Sequence, residues 1–180
     1  MTQKIRCAGF GGQGIVLCGV VFGQAAMLDG KSAMQTQSYG SASRGGLTRS
    51  DACIETGEIY DFDYEELDVL VAMSQQSYDG FRASLLPSGI LFFEADLVRG
   101  VETPEGGAFG VRATDIAHTE LGRRVVMNMV MMGFVNEIAQ VVTPESLIEA
   151  VRDRVPPGTE ALNEKALAEG ARQAELVRAK

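Results

Sequence analysis

Hydrophobic and polar positions change their period several times along this chain, and each change marks a predicted element. Lys4 to Ala8 is short and alternates as a strand does, and Ile15 to Leu28 is apolar nearly all round and long enough for a buried helix. Asp29-Gly30 reads as the turn closing that helix, and Ser32 to Gln37 as an extended stretch. Gln35 to Gly46 is polar and glycine-rich, which predicts a long loop, before Leu47 to Glu55 alternates like a half-buried strand. Asp68 to Met73 is a continuous apolar run, expected of a strand covered on both faces of a parallel sheet. Gln76 to Leu85 suits a helix stopped by Pro87-Ser88-Gly89, with Ile90 to Glu94 as the next strand.

Helical periodicity dominates the rest. Val101 to Val111 is glycine-rich and ends in a short strand, and Thr114-Asp115 can cap a helix that reaches Leu121-Gly122. From Arg123 to Val142, Met127, Val130, Met131, Phe134, Val135 and Ile138 recur at helical spacing, as core or subunit-interface positions rather than a cofactor box. Thr143-Pro144-Glu145 combines an N-cap, a first-turn proline and an acid at the positive helix end, so a helix runs from there to about Val155. Pro156-Pro157-Gly158 ends it, and Glu160 to Val177 is a last amphipathic helix. Strand and helix alternate without a linker or internal repeat. That order predicts residues 1–180 as a single α/β domain: a three-layer Rossmann-like sheet with helices on both faces and a helical C-terminal segment.

Composition narrows the classes of partner. With 180 residues, 46% hydrophobic and 22% charged, the chain can bury a sizeable core. A formal net charge of −8 opposes a general surface for nucleic acid or anionic membrane, so neither is expected as a partner. No apolar run approaches the roughly 18 residues of a span without glycine or polar interruption. The chain also enters a strand directly rather than through a signal peptide, which predicts a cytoplasmic protein. Cys7, Cys18 and Cys53 are widely spaced among apolar neighbours and form no C-x-x-C pair, the pattern of free buried thiols in a reducing compartment. Together with a single histidine, His118, placed on a solvated helix face, they supply neither a cluster ligand set nor a usual zinc site.

The chemistry concentrates between the first strand and helix. Gly9, Gly11 and Gly14 satisfy G-x-G-x-x-G, in which glycines permit a tight turn, close approach of a phosphate and close packing of helix on strand. A helix start of this kind offers unpaired N–H groups and a positive dipole end to an anion. A dinucleotide fold also wants an acid about 20 positions on to hold a ribose hydroxyl. Ser32 to Gln37 carries no carboxylate, which disfavours a nicotinamide or flavin dinucleotide. Close packing of a turn, with no ligand, explains the same glycines.

The loop Gly9 to Gly14, the Gln37-Ser38-Tyr39-Gly40 element, the Arg44-Gly45-Gly46 element and the later Asn128, Gly133 and Asn163 occur in one order over nearly the whole chain. In this the sequence resembles the gamma subunit of 2-oxoacid:ferredoxin oxidoreductases. The resemblance implies an enzyme that decarboxylates a 2-oxoacid, 2-oxoglutarate favoured, on thiamine diphosphate, passes electrons through iron–sulfur clusters to ferredoxin and releases an acyl-coenzyme A. It implies a non-autonomous subunit, with no catalytic residue of its own, assembled with thiamine-diphosphate-binding and ferredoxin-like subunits that carry those cofactors. No thiamine-diphosphate G-D-G motif or set of cluster cysteines stands in this chain, in keeping with that division. Coenzyme A fits a phosphate loop that lacks the ribose acid, since its phosphates want N–H groups and guanidinium forks. Gly9, the backbone N–H groups of Gly11, Gly12, Gln13 and Gly14, the Gln13 amide, Tyr39 and Arg44 make up the expected site. The alternative is a structural or regulatory interaction module whose loop is filled by a neighbouring subunit.

Overall fold

The computed structural model describes residues 2–39, 46–60 and 65–179. Six strands form one sheet: β1 (Gln3–Phe10), β2 (Ser32–Tyr39), β3 (Leu47–Glu55), β4 (Leu67–Ala72), β5 (Leu85–Glu94) and β6 (Ala108–Val111), in the order β2-β3-β1-β4-β5-β6. The helices are α1 (Ile15–Leu28), α2 (Gln75–Phe81), α3 (Ala113–Thr119), α4 (Met127–Ala139), α5 (Pro144–Arg154) and α6 (Glu160–Arg178). This is the expected α/β architecture, with helices on both faces and a helical C-terminal segment.

The sheet is mixed rather than parallel throughout. β1, β4, β5 and β6 pair in parallel, but β3 runs antiparallel to both β1 and β2. Part of the predicted loop from Gln35 onward is therefore strand. β2 lies at the sheet edge and its last four residues are exposed, so it needs no apolar alternation and its polar sequence hides it.

Alternation along β1 sends Ile5 and Cys7 into the large core beneath α1, while Arg6 points to the opposite face. There the Arg6 guanidinium meets the Asp51 carboxylate through two hydrogen bonds, 2.7 and 3.0 Å, and lies 4.8 Å from the centroid of the Phe81 ring on α2. In the large core Phe92 stacks on Phe109 at 5.9 Å and meets Phe134 edge-on at 6.1 Å. The methionine-rich helix α4 is buried from Asn128 to Asn136. It crosses α6 at two glycines: a Cβ on Gly133 would stand 2.0 Å from the Leu167 carbonyl oxygen. One on Gly170 would stand 1.9 Å from that of Val130.

Other boundaries moved for identifiable reasons. α2 ends at Phe81, a 3₁₀ turn covers Arg82–Ser84, and β5 begins at Leu85. Pro87, Ser88 and Gly89 are thus not a helix stop but a bulge inside a strand, since Leu67 pairs with Leu85 and Val69 with Ile90. Thr114 does not cap α3; it sits inside the helix, and the buried Glu94 carboxylate accepts its N–H and its hydroxyl, both at 2.9 Å. The stretch from Arg123 divides into a 3₁₀ turn, Arg124–Val126, and α4, which Gln140 ends in the left-handed conformation. Thr143 caps α5 as expected, accepting from Ser146 N–H at 3.3 Å.

Candidate functional site

β1 and β4 run parallel and end side by side, with Met73 N–H donating to the Ala8 carbonyl at 2.8 Å. After them the chain departs to opposite faces, into α1 from β1 and into α2 from β4. Such a divergence opens a crevice at the carboxyl ends of the strands, where α/β sheets bind ligands. The glycine loop lies at that point.

Its four glycines do different things. Phe10-Gly11-Gly12-Gln13 is a tight turn closed by Gln13 N–H to the Phe10 carbonyl, 3.2 Å, with Gly12 at φ +96° in the position that demands a left-handed residue. Gly9 and Gly14 are packing positions. A Cβ on Gly9 would stand 2.3 Å from the Gln13 amide oxygen and 2.9 Å from Met73 Cβ, and one on Gly14 would stand 2.3 Å from the Asn128 amide nitrogen. Gly11 and Gly12 are exposed, and a Cβ on either would meet nothing within 4 Å. Close packing therefore accounts for two of the glycines and leaves the outer two facing open space.

Gln13 is buried, and its amide is engaged at both ends: the oxygen accepts Phe10 N–H at 2.7 Å and the nitrogen donates to the Met73 carbonyl at 3.0 Å. The side chain expected to reach a phosphate instead ties the loop to the end of β4. Along α1 the first main-chain bond outside the loop turn is Cys18 N–H to the Gly14 carbonyl, 3.3 Å. Among the described residues the N–H groups of Ile15, Val16 and Leu17 have no main-chain acceptor, as at any helix start. Below the loop the Cys18 thiol donates to the Gly14 carbonyl at 3.4 Å, and its hydrogen bond with Cys7, together with burial, pushes the Cys7 thiol well above its ordinary range. All three cysteines are free and buried, as expected.

Tyr39 reaches the same end of the sheet. It pairs with Thr48, which pairs with Gly9, so it stands two strands away, roughly 10 Å. It is 64% exposed. Arg44 lies outside the described residues. His118 is exposed on α3, and no group of three or more potential metal ligands occurs among the described residues. No helix among them is long and apolar enough to cross a membrane.

Sequence reasoning missed a cleft of about 200 Å³ beside the loop, reached by Gly12, Gly14, Leu17, Val126, Asn128 and Asn163 among others. Its signal was present in Asn128 and Asn163, which stood out as motif residues without a role. Val125, 72% exposed, stands at its rim, preceded by Arg123 and Arg124. Neither of these two arginines forms an ion pair among the described residues.

The family model described as pyruvate ferredoxin/flavodoxin oxidoreductase matches residues 4–173. The chain belongs to this family. Among curated relatives, a 2-oxoglutarate synthase subunit KorC of Methanocaldococcus jannaschii is 39% identical, over 94% of this chain and 92% of its own. The keto/oxoacid ferredoxin oxidoreductase gamma subunit of Geobacter sulfurreducens has a solved structure that superposes with a TM-score of 0.84 at 34% identity, covering 97% of this chain and 99% of that one. The 2-oxoglutarate:ferredoxin oxidoreductase of Magnetococcus marinus, solved with 2-oxoglutarate, coenzyme A and succinyl-CoA bound, shares the fold. Its TM-score is 0.85 at 20% identity, and this chain corresponds to 31% of its length. The chain is thus a gamma-type subunit of the 2-oxoacid:ferredoxin oxidoreductase family, part of a multisubunit oxidoreductase.

Proposed function

We propose that this subunit serves an oxidoreductase converting 2-oxoglutarate to its acyl-coenzyme A, and that its own task is to hold coenzyme A and dock on the other subunits. The observation that carries the reading is the pair Gly11 and Gly12. They are open and exposed on a tight turn at the sheet's switch point, in front of a helix start whose N–H groups await an acceptor. A pyrophosphate satisfies those donors. The 2-oxoglutarate assignment is supported by the names of the relatives, which are 2-oxoglutarate synthase subunits at about the same length as this chain. The coenzyme A assignment is supported by the Magnetococcus relative, whose complex contains it.

In this reading Gly9, Gln13 and Gly14 shape the loop, Gly11 and Gly12 meet phosphate, and Tyr39 and Arg44 contact the ligand or a neighbouring subunit. Thiamine diphosphate and iron–sulfur clusters, supplying decarboxylation and electron transfer, reside on thiamine-diphosphate-binding and ferredoxin-like partners. Exposed Tyr39 on the edge strand and exposed Val125 on the cleft rim favour docking at this end of the sheet as well. In the second reading, a module without a ligand, side chains of a neighbouring subunit fill the loop. Replacing Gly11 by Asp in the assembled enzyme separates the two. A raised KM for coenzyme A with intact assembly supports the first, and weakened assembly with unchanged KM supports the second.

A further inference from the structure

The chain carries 24 Asp and Glu against 16 Lys and Arg, so carboxylates are plentiful around its basic side chains. Arg6 pairs with Asp51, Arg112 with Asp96, Arg152 with Glu164 and Arg172 with Glu169. Arg123 and Arg124 break the pattern. They are adjacent and exposed, and among the described residues neither guanidinium meets a carboxylate or a carbonyl. The next residue, Val125, is 72% exposed, more than any described Leu, Ile or Met.

These three residues form a knuckle between α3 and α4, and its backbone is fixed. Gly122 turns the chain at φ +70°, Arg123 N–H donates to the Ala117 carbonyl at 2.9 Å, and Val126 N–H closes a 3₁₀ turn on the Arg123 carbonyl at 3.3 Å. Val126 is buried in the main core and Leu121 packs against it, so the knuckle is anchored on both sides and loses little freedom on binding. Nor does α3 need the two guanidinium groups at its end. The Ile116 and Ala117 carbonyls already accept Glu120 N–H and Arg123 N–H, and the nearby Glu120 carboxylate lies 3.9 Å from Arg172. Beside Val125 stand Pro156, exposed, and Leu162, half-buried, on the same rim. An apolar centre edged by arginines is the composition of a protein interface, where the guanidinium fork matches a carboxylate.

We propose that the Arg123-Arg124-Val125 knuckle is a docking point for another subunit of the oxidoreductase, one that presents carboxylates around a shallow apolar hollow. The inference rests on the docking half of the function proposed above and gives it a place and a charge. On a chain of net charge −8, an acidic partner is repelled by most of the surface and attracted here, which fixes where and in which orientation the two meet.

The test titrates the full chain onto the remaining subunits of its oxidoreductase, produced without it and immobilised, at low and at physiological salt. Arg123→Glu and Arg124→Glu reverse one charge each. Arg178→Glu makes the same change in net charge at the far end of α6, 16 residues or roughly 24 Å along the helix from Leu162. Thermal melting checks folding, and Arg124→Gln, which removes the charge without reversing it, serves if a reversal variant does not fold. The expected result is a loss of about tenfold or more in affinity for either knuckle variant, a change within about twofold for Arg178→Glu, and a difference between wild type and knuckle variants that shrinks as salt rises. Wild-type affinity in both knuckle variants overturns the proposal, and so does an equal loss in Arg178→Glu, which assigns the effect to net charge. A raised KM for coenzyme A with intact assembly assigns the arginines to the ligand, and a dimer of the isolated chain that the knuckle variants abolish puts a second copy there; either overturns the acidic subunit as occupant. If the wild-type chain binds none of the remaining subunits, the docking reading falls and the knuckle with it, whereas wild-type binding that the variants leave unchanged removes the knuckle alone.

Discussion

The Gln13 amide nitrogen donates to the Met73 carbonyl at 3.0 Å, joining the glycine loop to the strand end across the crevice. With its oxygen on Phe10 N–H, this one side chain sets the loop's shape from beneath. Gln13→Glu keeps the acceptor but turns the donor into a carboxylate oxygen facing a carbonyl in a buried site. It should destabilise the chain by about 2 kcal/mol, read as a lowered Tm, and loosen coenzyme A binding in the assembled enzyme through the displaced turn.

The two outer glycines should part company under substitution by Ala. Gly12 stands at φ +96°, so Gly12→Ala should cost about 1–2 kcal/mol of stability whether or not a ligand binds. Gly11 has open space around its Cβ position and no left-handed requirement, so Gly11→Ala should stay within about 0.5 kcal/mol of wild type. Denaturant unfolding of the two variants checks this, and equal losses would show that the turn constrains both positions alike.

At the crossing of α4 and α6, Gly133→Ala and Gly170→Ala should each cost about 3 kcal/mol or more. The added methyl in each case meets a backbone carbonyl oxygen, at 2.0 and 1.9 Å, and neither helix can yield without moving the other. Thermal melting of either variant at wild-type Tm would contradict this packing.

Glu94 should impose a pH dependence of unusual sign for an acid. Burial pushes its carboxyl above the ordinary 4.5, against the hydrogen bonds from Thr114 and Asp96 that favour the ion. A group raised on folding stabilises most below its unfolded value, and that contribution is lost as pH rises through the folded one. Stability from this group should therefore fall as pH climbs from about 4.5 through the folded pKa. Glu94→Gln should flatten that segment of a Tm-against-pH profile; an unaltered profile would assign the slope to other groups.

Much of this molecule is written locally in its sequence. The apolar run at Val69–Ala72, the all-round apolar helix α1, the Thr143-Pro144-Glu145 start of α5 and the left-handed Gly12 are each decided within a few residues, by steric limits on φ and by hydrogen bonds to neighbours. The glycine loop is legible as a tight turn ahead of a helix for the same reason. What escaped depends on partners distant in the chain. β2 is a strand because β3, not its own pattern, supplies its ladder, and β5 carries Pro87 because the strand bulges there against β4. Thr114 gives up its capping place for a carboxylate 20 residues earlier in the chain. The division of the glycines into packing and open positions, the inward turn of Gln13 and the cleft between Asn128 and Asn163 follow the same rule. Each is settled by which atoms the fold brings within 3 or 4 Å, a property of the packed chain that no run of neighbouring residues encodes.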